Sequence, residues 1–197
     1  MNILKQIYPA FAITVVLTVL LGIIYPLAVT GLAQLIFPQQ AAGSLIEKDG
    51  KVIGSSLIGQ PFTGPGYFHS RPSAAGGGYH GTASSGTNLG PTSQKLMDNV
   101  KTAAESLREE NPGSPIPIDM VTASASGLDP HITPAAAEFQ VPRIAKERGM
   151  KAEEVRRLVR EHTAGRQFGV LGEPRVNVLE LNLALNGVRP MPRTESK

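Results

Sequence analysis

Residues 10–32 read Ala-Phe-Ala-Ile-Thr-Val-Val-Leu-Thr-Val-Leu-Leu-Gly-Ile-Ile-Tyr-Pro-Leu-Ala-Val-Thr-Gly-Leu. They lie inside 41 consecutive positions, Gln6 to Ile46, that hold no Asp, Glu, Lys, Arg or His. A helix rising about 1.5 Å per residue needs about 20 residues to cross roughly 30 Å of hydrocarbon, so this run is long enough for one membrane span. A cleaved leader is the competing reading, with Lys5 as its basic head and Gly31-Leu32-Ala33 as a small-residue cleavage site. The run is about twice the usual 7–15-residue core of a leader, and Tyr8 and Tyr25 suit interfacial or packing positions. We therefore expect a transmembrane helix over 9–34. Gly22, Pro26 and Gly31 would break a helix in water; in a membrane they are tolerated where neighbouring groups cover the freed carbonyls, so they are the expected packing positions.

Charge sets the expected orientation. The tail 1–8 carries the α-amine and Lys5, whereas Glu47, Lys48, Asp49 and Lys51 after the span cancel. The positive-inside rule then puts residues 1–8 in the cytoplasm and residues 35–197 outside the membrane. The whole chain has 197 residues and a net charge of +3, too little for a dedicated nucleic-acid binder. It has no Cys, which excludes disulfides, thiol nucleophiles and Cys-ligated zinc.

Beyond the span the chain reads as one turn-rich α+β domain with a β-hairpin and three or four helices. Gly and Pro, 21 and 16 residues, exceed average usage and point to much irregular backbone. Ser44 to Ile58 predicts the hairpin, with Asp49-Gly50 as its turn. Gly59 to Pro91 predicts a long loop pinned by Phe62, Tyr67, Phe68 and Tyr79. Ser93 to Glu110 predicts a helix burying Leu96, Val100, Ala103, Ala104 and Leu107, stopped by Asn111-Pro112-Gly113. The segment 121–132 fits no period. Thr133-Pro134 opens a further helix that Pro142 should kink or break before Gly149. Another covers about Lys151 to His162, buries Val155, Leu158 and Val159, and ends at Gly165. Val176 to Leu185 alternates like a strand, but Asn177 with Glu180 fits a capping box and favours a helix.

Motifs for chemistry are few. Gly76-Gly-Gly-Tyr-His-Gly81 matches a dinucleotide loop in letters, yet no apolar strand precedes it and no helix follows, so it reads as a turn. Gly50-Lys51 has Leu45 where a phosphate-binding loop needs Gly, and no nucleophile elbow surrounds Ser84-Ser85 or Ser124 and Ser126. His69, His80, His131 and His162 are too scattered for a local metal site. Ser124 and Ser126 beside Asp129-Pro-His131 invite a triad reading, but such neighbours ordinarily cap turns. Arg143, Lys146, Arg148, Arg156, Arg157 and Arg160, mixed with Glu147, Glu153, Glu154 and Glu161, read as a solvated face. We expect no catalytic residue and no metal.

Six stretches, taken together, resemble a known family: Gly54-Ser-Ser-Leu-Ile-Gly-Gln60; Tyr67-Phe68 with Arg71-Pro-Ser-Ala74; Ser85-Gly-Thr-Asn-Leu-Gly-Pro91; Val121-Thr-Ala-Ser-Ala-Ser-Gly-Leu-Asp129; Gln140-Val-Pro-Arg-Ile-Ala145; and Gly172-Glu-Pro-Arg-Val-Asn177 with Leu181-Asn-Leu-Ala-Leu185. In this order they are similar to KdpC, the C subunit of the bacterial Kdp potassium-transporting P-type ATPase; the tail after Gly187 has no counterpart. The resemblance implies a non-catalytic subunit in a four-part pump. Its partners would be a channel-like potassium-binding subunit, a P-type ATPase subunit and a small single-span subunit. It would stabilise the complex and raise the ATPase subunit's affinity for ATP, holding no cofactor tightly itself while the complex handles ATP and potassium.

That role sits awkwardly with the expected orientation, because ATP is cytoplasmic. Either the outer domain is a lid or scaffold on the channel-like subunit and acts on ATP allosterically, which the orientation favours, or the domain is cytoplasmic and touches nucleotide directly. For nucleotide or partner contact the residues nominated are Ser124, Ser126, Asp129 and Gln140. An alternative blind to the family is an anchored extracytoplasmic binding module or enzyme, unrelated to transport, using the Asp129 and His131 region.

Overall fold

A computed structural model describes residues 4–187. These fall into two compact units divided between Leu45 and Ile46.

The first unit is dominated by one apolar helix, Lys5–Ile36, long and apolar enough to cross a membrane. It is built from α1 (Leu4–Val19), a π-helical turn (Leu20–Ile24) and α2 (Tyr25–Ile36), and a short α3 (Pro38–Ala41) follows. The π turn explains how the helix survives Pro26, whose missing N–H would leave the Gly22 carbonyl without its usual partner. The local pattern widens by one residue, so that the Tyr25 N–H reaches the Leu20 carbonyl. The helix is thus continuous where its sequence threatened a break. The Thr14 hydroxyl donates back to the Ala10 carbonyl at 2.8 Å, which keeps that polar side chain satisfied without water.

The second unit is mixed α and β, as the sequence predicts. Strands β1 (Leu45–Lys48) and β2 (Lys51–Ser55) form the two-stranded hairpin. Its turn residues Asp49 and Gly50 take φ of 53° and 73°, the left-handed pair that an Asp-Gly turn supplies. Helix α4 (Gln94–Glu110) presents the predicted Leu96, Val100, Ala103, Ala104 and Leu107 on its less exposed side, but none of its residues is fully buried.

The unassigned segment 121–132 follows a 3-10 turn at Ile118–Met120 and ends in β3 (His131–Ile132). No period could show this strand, because two residues are too few to express one. Helix α5 (Pro134–Arg148) starts as predicted, with Thr133 Oγ1 accepting from the Ala136 N–H at 3.1 Å, and ends at the left-handed Gly149. It does not break at Pro142. Val141 and Ile144, on either side of the proline, are fully buried, and packing of that face offsets a helix cost of about 3 kcal/mol. Helix α6 (Ala152–Glu161) buries Val155 and Val159 as expected, but stops short of Gly165 because Thr163–Ala164 forms strand β4.

The ambiguous C-terminal stretch divides. Arg175–Asn177 is strand β5, and Val178–Leu185 is helix α7. Asn177 is the joint: its Oδ1 caps α7 by accepting from the Glu180 N–H at 3.1 Å. Strand β5 is central in a three-stranded antiparallel sheet of order β3-β5-β4, with Ile132 and Thr163 both opposite Val176. The core joins Val176 and Leu181 with Phe68, Val141, Ile144 and Val155, all fully buried. Residues 188–197, part of the predicted outer domain, lie outside the described residues.

Candidate functional site

Phe68 is the only fully buried aromatic side chain of the second unit among the described residues, and it sits in a segment with no helix or strand. Buried irregular backbone must find partners for every N–H and C=O. Here side chains provide them. Asn182, fully buried on α7, accepts from the Phe68 N–H at 2.8 Å and donates to the Phe68 carbonyl at 2.9 Å. Gln140, fully buried on α5, does the same for His69: its Oε1 accepts from the His69 N–H at 2.7 Å, and its Nε2 donates to the His69 carbonyl at 3.1 Å. Each amide imitates a neighbouring strand.

Two arginines complete the clasp. Arg143 donates to the carbonyls of Pro65 and Tyr67, to Gln140 Oε1 at 2.8 Å, and to Glu110 at 2.8 Å in a largely buried ion pair. Arg148 donates to the Gly66 and Leu185 carbonyls, and its guanidinium lies 4.7 Å from the Tyr67 ring centroid. This corrects the reading of these two as part of a solvated basic face. That face does exist on α6, where Arg157 pairs with Glu161 and Arg160 with Glu153. His69 ties the segment to itself through Nε2 and the Gly64 carbonyl, 3.1 Å apart. Burial, helped by the Arg143 charge, lowers its pKa.

The second cluster surrounds Arg71 and Asp129. Arg71 donates to the carbonyls of Thr122 and Ala123 at 3.3 and 3.2 Å and faces Asp129 at 3.5 Å. Asp129 Oδ1 accepts from the His131 N–H at 3.0 Å and lies 3.3 Å from His131 Nδ1. Burial pushes the Asp129 carboxyl up, but the two His131 hydrogen bonds and the charges of His131 and Arg71 outweigh it and hold the pKa below its ordinary value. The Tyr79 hydroxyl donates to the carbonyls of Arg71 and Asp129, and burial raises its pKa.

The nominated contact residues are therefore mostly committed inward. Gln140 spends its amide on the clasp, and Asp129 closes its own turn. Ser126 Oγ accepts from the Leu128 N–H at 3.1 Å in a local turn. Ser124 is buried, and its hydroxyl has no hydrogen-bond partner among the described residues. Ser126 precedes Gly127 and Asp129 follows two residues after it; at Gly127 φ is +67° and a Cβ would stand 2.6 Å from the Ser85 carbonyl oxygen. Two motif loops press together there through a gap that only glycine fits. Among the described residues, no group of three or more His, Cys, Asp or Glu side chains gathers to hold a metal.

Sequence reasoning missed Arg71, Arg143, Arg148 and Asn182 as organisers. Gln140 and Asn182 did carry a signal, an amide set among apolar neighbours in Phe-Gln-Val and Leu-Asn-Leu.

The chain from residue 7 to residue 187 matches the family model described as "KdpC: K+-transporting ATPase, c chain". The chain belongs to the KdpC family. Family membership makes it a subunit of a potassium-transporting P-type ATPase, with partners in that complex, and not a stand-alone catalyst. Two similar proteins share its length. A potassium-transporting ATPase KdpC subunit of Koribacter versatilis is 62% identical over 95% of this chain and 97% of its own. One of Rhodopseudomonas palustris strain BisB18 is 54% identical over 94% and 100%. The apolar N-terminal helix fits a single-pass membrane subunit of such a transporter.

Proposed function

We propose that the chain is a non-catalytic accessory subunit of a high-affinity potassium uptake pump. It stabilises the assembly and supports ATP binding by the ATPase subunit indirectly, from outside the membrane, as a lid or scaffold on the channel-like subunit. In this reading residues 1–8 are cytoplasmic, 9–34 span the membrane and 35–197 lie outside. Its partners are the channel-like potassium-binding subunit, the P-type ATPase subunit and the small single-span subunit; ATP and potassium are handled by these and not held by this chain.

The observation that carries the indirect route is Gln140. Gln140, one of the residues nominated for direct nucleotide contact, has no exposed surface, and its polar atoms are spent on His69, Ala136 and Arg143. The cancelling charges after the span support the outer placement. On the membrane helix, a Cβ at Gly22 or Gly31 would meet nothing within 4 Å. With Pro26, these positions offer the close backbone approach by which membrane helices pack.

Reporters fused after Lys197 test the placement. A reporter active only outside is expected, and one active only in the cytoplasm overturns the lid. In purified pump, removing the chain should raise the KM for ATP; an unchanged KM removes the ATP-supporting role.

A further inference from the structure

Strands β4 and β5 are antiparallel neighbours, so residues 165–174 form the loop of a hairpin whose base is fixed by the fully buried Val176. The loop is closed by its own bonds. Gln167 and Leu171 exchange backbone hydrogen bonds at 2.8 and 2.9 Å, and the Val170 N–H reaches the Gln167 carbonyl at 3.2 Å. Below them, Arg166 Nη2 donates to both carboxylate oxygens of Glu173 at 2.8 and 2.7 Å.

The side chains at the tip are the wrong ones for water. Phe168 is 83% exposed, Val170 74% and Leu171 56%. Phe168 also takes a φ of +53°, with Gly169 at +76° beside it. Turns of this kind ordinarily use Asn, Asp or Gly at both places, and a bulky aromatic is a true outlier there. A residue that breaks both the local backbone rule and the burial rule, inside a loop that is otherwise well bonded, gains nothing from the fold of this chain and points to a contact beyond it.

We propose that the tip, residues 167–171, is a docking plug that seats Phe168, Val170 and Leu171 in an apolar pocket on another protein subunit of the potassium-transporting ATPase. Two features favour a protein pocket over a lipid surface. The loop's only charges, Arg166 and Glu173, neutralise each other, whereas segments that lie on bilayers carry free basic residues for the headgroups. The tip is also held in one shape before binding, which suits an aromatic anchor entering a complementary protein pocket. Membership in a multi-subunit complex supplies such a partner, and the inference holds on whichever side of the membrane the domain lies.

The test uses the assembled complex, co-expressed in the membrane with this chain in full. A photo-crosslinking phenylalanine analogue replaces Phe168, keeping the ring and the backbone, and the products are identified by mass spectrometry. A crosslink to a defined peptide of a partner subunit is expected. Crosslinking only to lipid, only to a second copy of this chain, or to nothing overturns the proposal. In parallel, Phe168→Asp should cut recovery of the partner subunits with the tagged chain by about tenfold or more, as loss of an interface anchor does. Its thermal midpoint should be unchanged. Recovery at the level of the unaltered chain would overturn the proposal. If the variant does not fold, the crosslink decides.

Discussion

The segment Gly64–Arg71 and the loop Gly165–Pro174 are both irregular, and they achieve order in opposite ways. The first is threaded through the core and borrows its hydrogen bonds from side chains of α5 and α7, chiefly Gln140, Arg143, Arg148 and Asn182. The second bonds to itself and turns its apolar side chains outward. The contrast separates structural from functional polarity. Polar side chains spent on buried backbone have nothing left for a ligand, whereas apolar side chains left in water gain only from a partner.

Substitutions should divide along the same line when full-length chain is unfolded in detergent. Phe68→Ala, at the centre of the clasped segment, should destabilise by about 3–5 kcal/mol, because a large void opens where the loop meets the core. Arg143→Ala should cost about 3 kcal/mol by leaving Glu110 largely buried without its partner, and Lys should not restore it, since one ammonium cannot reach four acceptors. Asn182→Leu should cost about 2 kcal/mol, because it orphans the buried N–H and C=O of Phe68. If the Asn182 variant were neutral, the imitation-strand account of the clasp would be wrong.

The next effect is read against pH. His69 has a lowered pKa in the folded chain, so from about pH 6.5 downward the unfolded chain takes up a proton that the folded chain refuses. Stability should fall as pH drops from 6.5 towards the lowered folded value, and above 6.5 this contribution vanishes. His69→Gln should flatten the thermal midpoint between about pH 7 and 5. Asp129 acts in a separate window. Its folded pKa lies below 3.8, so its stabilisation is present above 3.8 and is lost as pH falls through the folded value. The smallest effect belongs to the outward loop. Arg166→Ala should change stability by no more than about 0.5 kcal/mol, because the pair with Glu173 is exposed.

Much of the fold was legible. The hairpin announced itself through Asp49-Gly50, α5 through Thr133-Pro134 and Gly149, and α7 through Asn177 with Glu180, since caps and turns are local chemistry. The two-residue strands β3 and β4 were not, because they exist only by pairing with β5, from His131 to Asn177 far along the chain on one side and through an outward loop on the other. Pro142 does not break α5; local propensity says nothing of the burial that outweighs it. Gln140 and Asp129 were nominated for nucleotide or partner contact. Their bonding to His69 and His131 could not be read from spacing alone.

The sequence by itself determined the membrane helix, the α+β character of the domain and the family, because each rests on a run of side chains or an ordered set of motifs. Only the tertiary structure decided which polar residues are consumed. A Gln or Arg carries the same letters whether it faces solvent or clasps a buried carbonyl, and the difference is made by which distant backbone it meets.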